Sequence, residues 1–267
     1  MNAAPALVPA LARRNHGTGH VYTLDGEREP GVTAILQQVP KPALNDHGGK
    51  ITAAYAVDHW DELSRMSVSE RLDALNAVRR DELRAASKRG TTVHRLAAGL
   101  NAGERVAVPE ELAGYVDSYL DFLHRVDPIV IAVELVVASR AHRYCGTADL
   151  VADLPALVLD GELLDPCRWL LDVKTGKGVY AESALQTTAY SRADVYLDGE
   201  RVRPLRELRI KRCGVLHVRS DGWDLRPLDD GEDTWAYFLH LRWMHDRREV
   251  MREWVGAAVD PPQLVDA

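Results

Sequence analysis

The chain has 267 residues, 46% hydrophobic and 27% charged, enough for one sizeable core or one domain with a helical appendage. That balance excludes a disordered chain, and no apolar run approaches the ~20 residues of a bilayer span. With 33 basic against 40 acidic residues the net charge is −7, which excludes non-specific coating of nucleic acid but leaves room for local contacts and a carboxylate-rich metal site.

Residues 1–18 read as flexible, and their short apolar run has no charged region ahead of it, so it makes a poor secretory signal. Residues 21–36 read as a strand, a turn at Asp25-Gly26, and a helix beginning near Thr33. The segment 41–50 reads as loop. Apolar residues at helical spacing predict helices over 51–64, 68–89 (Leu72, Leu75, Val78, Leu83) and 109–126, so the first 127 residues are mostly helical.

Pro128 stops the third helix and the character changes. Strands are expected over 129–139, 143–154 and 169–175, with a loop over 155–168. A helix over 181–197, strands over 206–219 and 223–228 and a long helix over 231–254 complete the chain. This order predicts an α/β fold, a mixed sheet covered by helices, in which 1–127 and 128–267 form one compact domain. Cys145, Cys167 and Cys213 lie far apart, which argues against a disulfide framework or a CxxC zinc site and for a reducing cytoplasm.

The chemistry concentrates in a few places. In Asp172-Val173-Lys174, residues i and i+2 of a strand share a face, so carboxylate and ammonium project together while Val173 points to the core. Six lysines and 40 acids make one such triplet an ordinary coincidence, so its context matters. Asp149, in Gly146-Thr147-Ala148-Asp149, lies in the preceding strand, and a hairpin pairing brings it beside Asp172. Two close carboxylates repel unless a cation or proton intervenes, which favours a divalent metal. Gln186 and Tyr190 share a helix face directed back toward the strand end. His94, in Gly90-Thr91-Thr92-Val93-His94, lies one turn into an expected helix. Glu134 interrupts an otherwise apolar strand, a costly place for an unpartnered acid.

Taken in order, these motifs (GTTVH, AVELVV, GTAD, LLDVKTGK, ALQTTAY) resemble the RecB-like branch of the PD-(D/E)XK nuclease superfamily. The chain is similar in particular to stand-alone bacteriophage exonucleases and to relatives of the CRISPR-associated exonucleases. The resemblance covers about residues 90–195, with a weaker likeness in the N-terminal VYTLDGEREPGVTAIL. Ala148 replaces the proline of the family name. Three dispersed cysteines depart from the four that bind a cluster in the CRISPR-associated relatives, so no iron–sulfur cluster is expected.

The resemblance implies a restriction-endonuclease-like fold, with 128–267 as nuclease core, and a metal-dependent DNA exonuclease of recombination or end processing. His94, Asp149, Asp172 and the Val173 carbonyl would hold Mg²⁺ or Mn²⁺, with Glu134 at the rim. Lys174 would act as base or charge stabiliser, and Gln186 and Tyr190 would orient Lys174 or the scissile phosphate. DNA contacts are expected from basic clusters on either side of the site, including Arg89, Arg95 and Lys177, and Arg203, Arg209 and Lys211; Trp60 and Trp223 are read mainly as packing residues. A single-strand annealing or recombinase protein is the implied partner, and no membrane is involved. The alternatives are a structure-specific or single-strand endonuclease with the same site, and a catalytically silent DNA-binding module.

Overall fold

The computed structural model describes residues 10–16, 19–159 and 161–258. Strands β1 (Leu11–His16), β2 (Gly19–Leu24) and β3 (Glu27–Glu29) form an antiparallel meander, followed by the short helix α1 (Val32–Ile35). Three helices come next: α2 (Pro42–Asp58), the single turn α3 (Trp60–Leu63) and α4 (Val68–Asn101). Helix α5 (Ala113–Val126) leads into β4 (Ile129–Ser139) and β5 (Tyr144–Leu154). The hairpin β6 (Leu157–Leu159) and β7 (Glu162–Leu164) precedes β8 (Cys167–Lys174) and α6 (Glu182–Ser191). Strands β9 (Val195–Asp198), β10 (Arg201–Pro204), β11 (Arg212–Arg219) and β12 (Gly222–Leu228), then α7 (Glu232–Arg247) and a short 3-10 helix (Val250–Trp254), complete the described fold.

The fold is α/β. Seven strands make one sheet in the order β10-β9-β4-β5-β8-β11-β12, antiparallel throughout except for the parallel pair β8/β11. On one face Leu185, Ala189 and Tyr190 of α6 and Phe238 and Leu241 of α7 pack on Val137, Val151 and Leu170. On the other, Ala97 of α4 and Tyr119, Phe122 and Val126 of α5 pack on Leu150, Trp169 and Leu216. Each fully buried side chain of this size contributes about 1.5–3 kcal/mol over an exposed one. The central strands read as continuous apolar runs because both of their faces are covered.

Several expectations change. Residues 11–16, expected to be flexible, form β1, because Leu11 buries itself with Leu24 and Tyr22 against Val136 and Ala138; residues 1–9 and 17–18 lie outside the described residues. The 41–50 loop is the first half of α2: Pro42 occupies the first turn, where its missing N–H costs nothing, and helix continues through Gly48 and Gly49. Gly48 has a packing reason, since the Arg79 side chain of α4 lies 2.8 Å from where a Cβ would stand.

Helix α4 begins as expected, with Ser67 and Glu70 closing a reciprocal capping box. It does not stop at 89 but runs 34 residues, roughly 50 Å, so His94 lies deep in a continuous helix rather than near a start. Gly90, Thr91 and Thr92 are poor helix formers, and burial of Val93, Leu96 and Ala97 overrides them. The expected 155–168 loop contains the β6/β7 hairpin, turning at Gly161 with φ +82°. The expected 181–197 helix ends at Ser191, and its last residues instead join β9, which pairs with the unanticipated β10. No helix among the described residues is long and apolar enough to cross a membrane.

Candidate metal centre

The register of three neighbouring strands builds the site. β5 pairs with β4 as Leu150↔Val133 and Ala148↔Leu135, so Asp149 falls opposite Glu134. β5 pairs with β8 up to Leu150↔Leu171, so Asp149 also falls opposite Asp172, one step beyond the last ladder pair. Three acids therefore stand abreast on β4, β5 and β8.

The face alternation slips at this row. Ala132 and Leu135 of β4, and Ala148 and Val151 of β5, pack with α6 and α7. Val133 and Leu150, the residues between, pack with α5. Glu134 takes up the slip with a left-handed backbone, φ +50°, in a strand already bulged between Val130 and Ala132. Such a conformation costs a non-glycine residue of order 1–3 kcal/mol, and it frees Glu134 from an alternation that would aim it into an apolar layer. Asp149 closes the gap differently: its Oδ2 accepts the Val173 N–H at 2.7 Å, so a carboxylate replaces the ladder carbonyl where β5 and β8 part.

Each acid has its own cation. His94 Nδ1 lies 3.2 Å from Asp149 Oδ1, reaching down from α4. Lys174 Nζ lies 2.7 Å from Asp172 Oδ2, though outside good hydrogen-bond geometry, so that buried oxygen accepts no well-formed bond. Arg13 Nη1 donates to Glu134 Oε2 at 2.8 Å. Behind Lys174 a relay runs into α6: Nζ donates to Gln186 Oε1 at 3.2 Å, and Gln186 Nε2 donates to the Tyr190 hydroxyl at 3.1 Å. The ammonium can only donate, which settles which way the Gln186 amide points. Tyr190 is buried beside Gly146, where a Cβ would stand 2.3 Å from the ring.

The titrations follow from this pairing. Burial pushes the Asp172 carboxyl up to about 6, against the pull of Lys174 and with the push of Asp149. Burial also opposes ionisation of Asp149, but His94, the Val173 N–H and Lys174 together hold it below the usual carboxylate range. Burial disfavours a charged His94, yet Asp149 and then Asp172 hold the imidazole above its ordinary value. Lys174, opposed by burial, is held above the usual lysine range by Asp172 and Asp149.

His94, Glu134 and Asp149 each offer a ligand atom, and these atoms lie within 4.8 Å of one another. Among the described residues this set includes Glu134, expected at the rim, while Asp172 stands beside it with its Oδ2 on Lys174. Two carboxylates and one imidazole suit a hard divalent cation, with the nitrogen donor admitting Mn²⁺ readily. The convergence of two carboxylate oxygens and an imidazole nitrogen is the observation that fits a cation here; Asp172 Oδ2 is already paired with Lys174. Val173 itself is buried in the α5-side core, as its alternation predicted.

The basic residues divide. Arg89 and Arg95 lie on α4 five residues before and one after His94, Arg89 half-buried and Arg95 exposed. Lys177, in the loop after β8, is exposed 3.9 Å from Glu82. Arg203, on the edge strand β10, is occupied by Asp198 at 3.1 Å and Glu207 at 2.7 Å. Arg209 and Lys211 do not flank the carboxylates. The Lys211 N–H donates to the Arg168 carbonyl at the start of β8, four residues or roughly 13 Å along the strand from Asp172. Because β11 runs parallel to β8, the residues before it meet the opposite end of the sheet. Trp223 packs edge-on against Phe122, centroids 5.3 Å apart, whereas Trp60 is 61% exposed.

Sequence reasoning missed Arg13, whose only local signal is a basic residue in a short alternating stretch. The chain matches no family model and no curated protein sequence.

Proposed function

We propose that this chain is a Mg²⁺- or Mn²⁺-dependent deoxyribonuclease of restriction-endonuclease-like fold, an exonuclease hydrolysing phosphodiester bonds at DNA ends. The reading is carried by one observation: Glu134, Asp149 and Asp172 stand abreast on three strands beside a lysine that is itself hydrogen-bonded through Gln186 to Tyr190. Acids are brought together at a cost that an ordinary surface cluster never meets, and a divalent cation offsets it.

A bound ion supplies an acidified water and neutralises charge developing on the phosphate. His94, Glu134 and Asp149 would hold it, with Asp172 as the adjoining carboxylate. Lys174 stabilises phosphate charge, its ammonium held toward the site by Asp172 and Gln186. Gln186 and Tyr190 fix its direction. Arg89, Arg95 and Lys177, on the α4 side of the site, bind the DNA backbone. The setting we read for this activity is cytoplasmic DNA recombination or repair, beside a single-strand annealing or recombinase protein.

The test is digestion of linear duplex DNA labelled separately at its 5′ and 3′ ends, with Mg²⁺, Mn²⁺ or EDTA, beside Asp172→Ala and Lys174→Ala. Metal-dependent release of one label, lost in both variants, is the expected result. Undiminished degradation by Asp172→Ala sinks the reading, and cleavage of circular single-stranded DNA would make the enzyme an endonuclease.

A further inference from the structure

Of the three acids in the row, Asp149 and Asp172 have partners within the motif set, and Glu134 does not. Its cation comes from β1, more than a hundred residues away along the chain. The pair is partly enclosed, with Arg13 20% exposed and Glu134 37%.

The way Arg13 is held sets it apart from a casual surface bridge. Leu11, two residues earlier on the same face of β1, is 1% exposed in the core made with Leu24, Val136 and Ala138. The Tyr22 hydroxyl of β2 bonds the Thr147 hydroxyl of β5 at 2.9 Å, two residues from Asp149. The meander is thereby pinned to β4 and β5, two of the three strands that carry acids. Arg13 Nη2 lies 2.8 Å from His20 Nε2. A guanidinium only donates, so His20 Nε2 is the acceptor and its proton sits on Nδ1, which donates to Asn15 Oδ1 at 3.0 Å. Arg13 thus donates both ways, to Glu134 Oε2 and to His20 Nε2, and His20 in turn donates to Asn15 Oδ1.

We infer that Arg13 is a positioning residue for the metal centre, fixing Glu134 Oε2 so that the other carboxylate oxygen is presented to the cation held by His94 and Asp149. A glutamate on a left-handed backbone, more than a third exposed, has rotamers to lose on binding an ion, and an anchored guanidinium removes that freedom beforehand. Partners that orient a metal-ligating carboxylate typically contribute 10–100-fold in affinity. The inference rests on reading His94, Glu134 and Asp149 as metal ligands.

The experiment is Mn²⁺ titration of the full chain without DNA, following the electron paramagnetic resonance signal of free Mn²⁺. It compares wild type, Asp149→Asn, Arg13→Gln, Arg13→Lys, Glu134→Gln and the Arg13→Gln/Glu134→Gln double variant. Expected are loss of binding in Asp149→Asn, about tenfold weaker binding in Arg13→Gln and partial recovery in Arg13→Lys. The double variant binds no more weakly than Glu134→Gln alone, because Arg13 acts only through that carboxylate. Should Arg13→Gln fold poorly, His20→Gln weakens binding in the same direction through the released guanidinium. Wild-type affinity in both Arg13→Gln and His20→Gln, or additive losses in the double variant, would overturn the inference while Asp149→Asn still vouches for the metal site. Absence of Mn²⁺ binding by the wild type overturns the metal reading and the inference with it.

Discussion

Asp149 and Asp172 stand opposite each other on adjacent strands, yet burial and neighbours drive their carboxyls in opposite directions. Asp149 accepts a backbone N–H and lies against His94; Asp172 has a single ammonium at an oblique angle. One acid stays ionised while the other holds a proton well above the normal carboxylate range, the division expected when two carboxylates share a buried site.

This division makes metal binding pH-dependent. The folded Asp172 carboxyl titrates near 6, above its ordinary 3.8, so between those values the fold holds a proton the unfolded chain has released. Its contribution to stability is therefore full below about pH 4 and declines as pH rises through 6. His94, also raised, adds stability below its ordinary 6.5 that is lost as pH climbs through its folded value. Both protons oppose a cation, so the rise in Tm produced by Mn²⁺ over EDTA should be small at pH 5 and large at pH 8. Thermal melts across that range check it, and an Mn²⁺ effect independent of pH would contradict the assignment.

Lys174, Gln186 and Tyr190 should rank in effect by distance along the relay. Lys174→Ala is expected to lower kcat by about 10²–10³, the loss typical of one charge-stabilising donor. Gln186→Ala should lower it less, and Tyr190→Phe least, since each step only orients the one before. Single-turnover rates at saturating Mn²⁺ give the order.

Gly146→Ala should damage both stability and turnover. The new methyl would stand 2.3 Å from the Tyr190 ring, which is buried and cannot retreat freely. A cost of about 1–3 kcal/mol is expected from overpacking, read from denaturant unfolding. Displacement of Tyr190 should also slow the reaction in the surviving folded protein.

The basic residues should separate by place. Arg95→Ala is expected to weaken DNA binding and to reduce the salt slope by roughly one unit. Arg209→Ala and Lys211→Ala should change neither, because they sit at the far end of the sheet. Fluorescence anisotropy with labelled duplex at several salt concentrations distinguishes the two groups.

Much of the site was legible because its spacing rules are local. Asp172 and Lys174 two apart on a strand, and Gln186 and Tyr190 four apart on a helix, meet wherever those elements form. The pairing of Asp149 with Asp172 followed from treating β5 and β8 as neighbours. Arg13 was invisible because its meaning depends on a contact between the meander and β4 that no local period announces. Glu134 stood out as an acid in an apolar strand, but its left-handed backbone is a product of two strands slipping together. The helical 42–50 was read as loop, and a helix start was placed just before His94 where α4 runs on unbroken, for one reason: glycines and β-branched residues lower helix propensity, and tertiary packing outweighs it.

The bond from the Val173 N–H to Asp149 makes one amide a native spectroscopic probe. In uniformly ¹⁵N-labelled protein its proton resonance follows the charge of the Asp149 carboxylate, with no dye needed. Adding a diamagnetic cation such as Mg²⁺ should draw electron density from Asp149, lengthen that bond and move the Val173 signal upfield. Neighbouring amides bonded to strand carbonyls should stay in place, so one resonance would report occupancy of the centre while the chain remains in its native form.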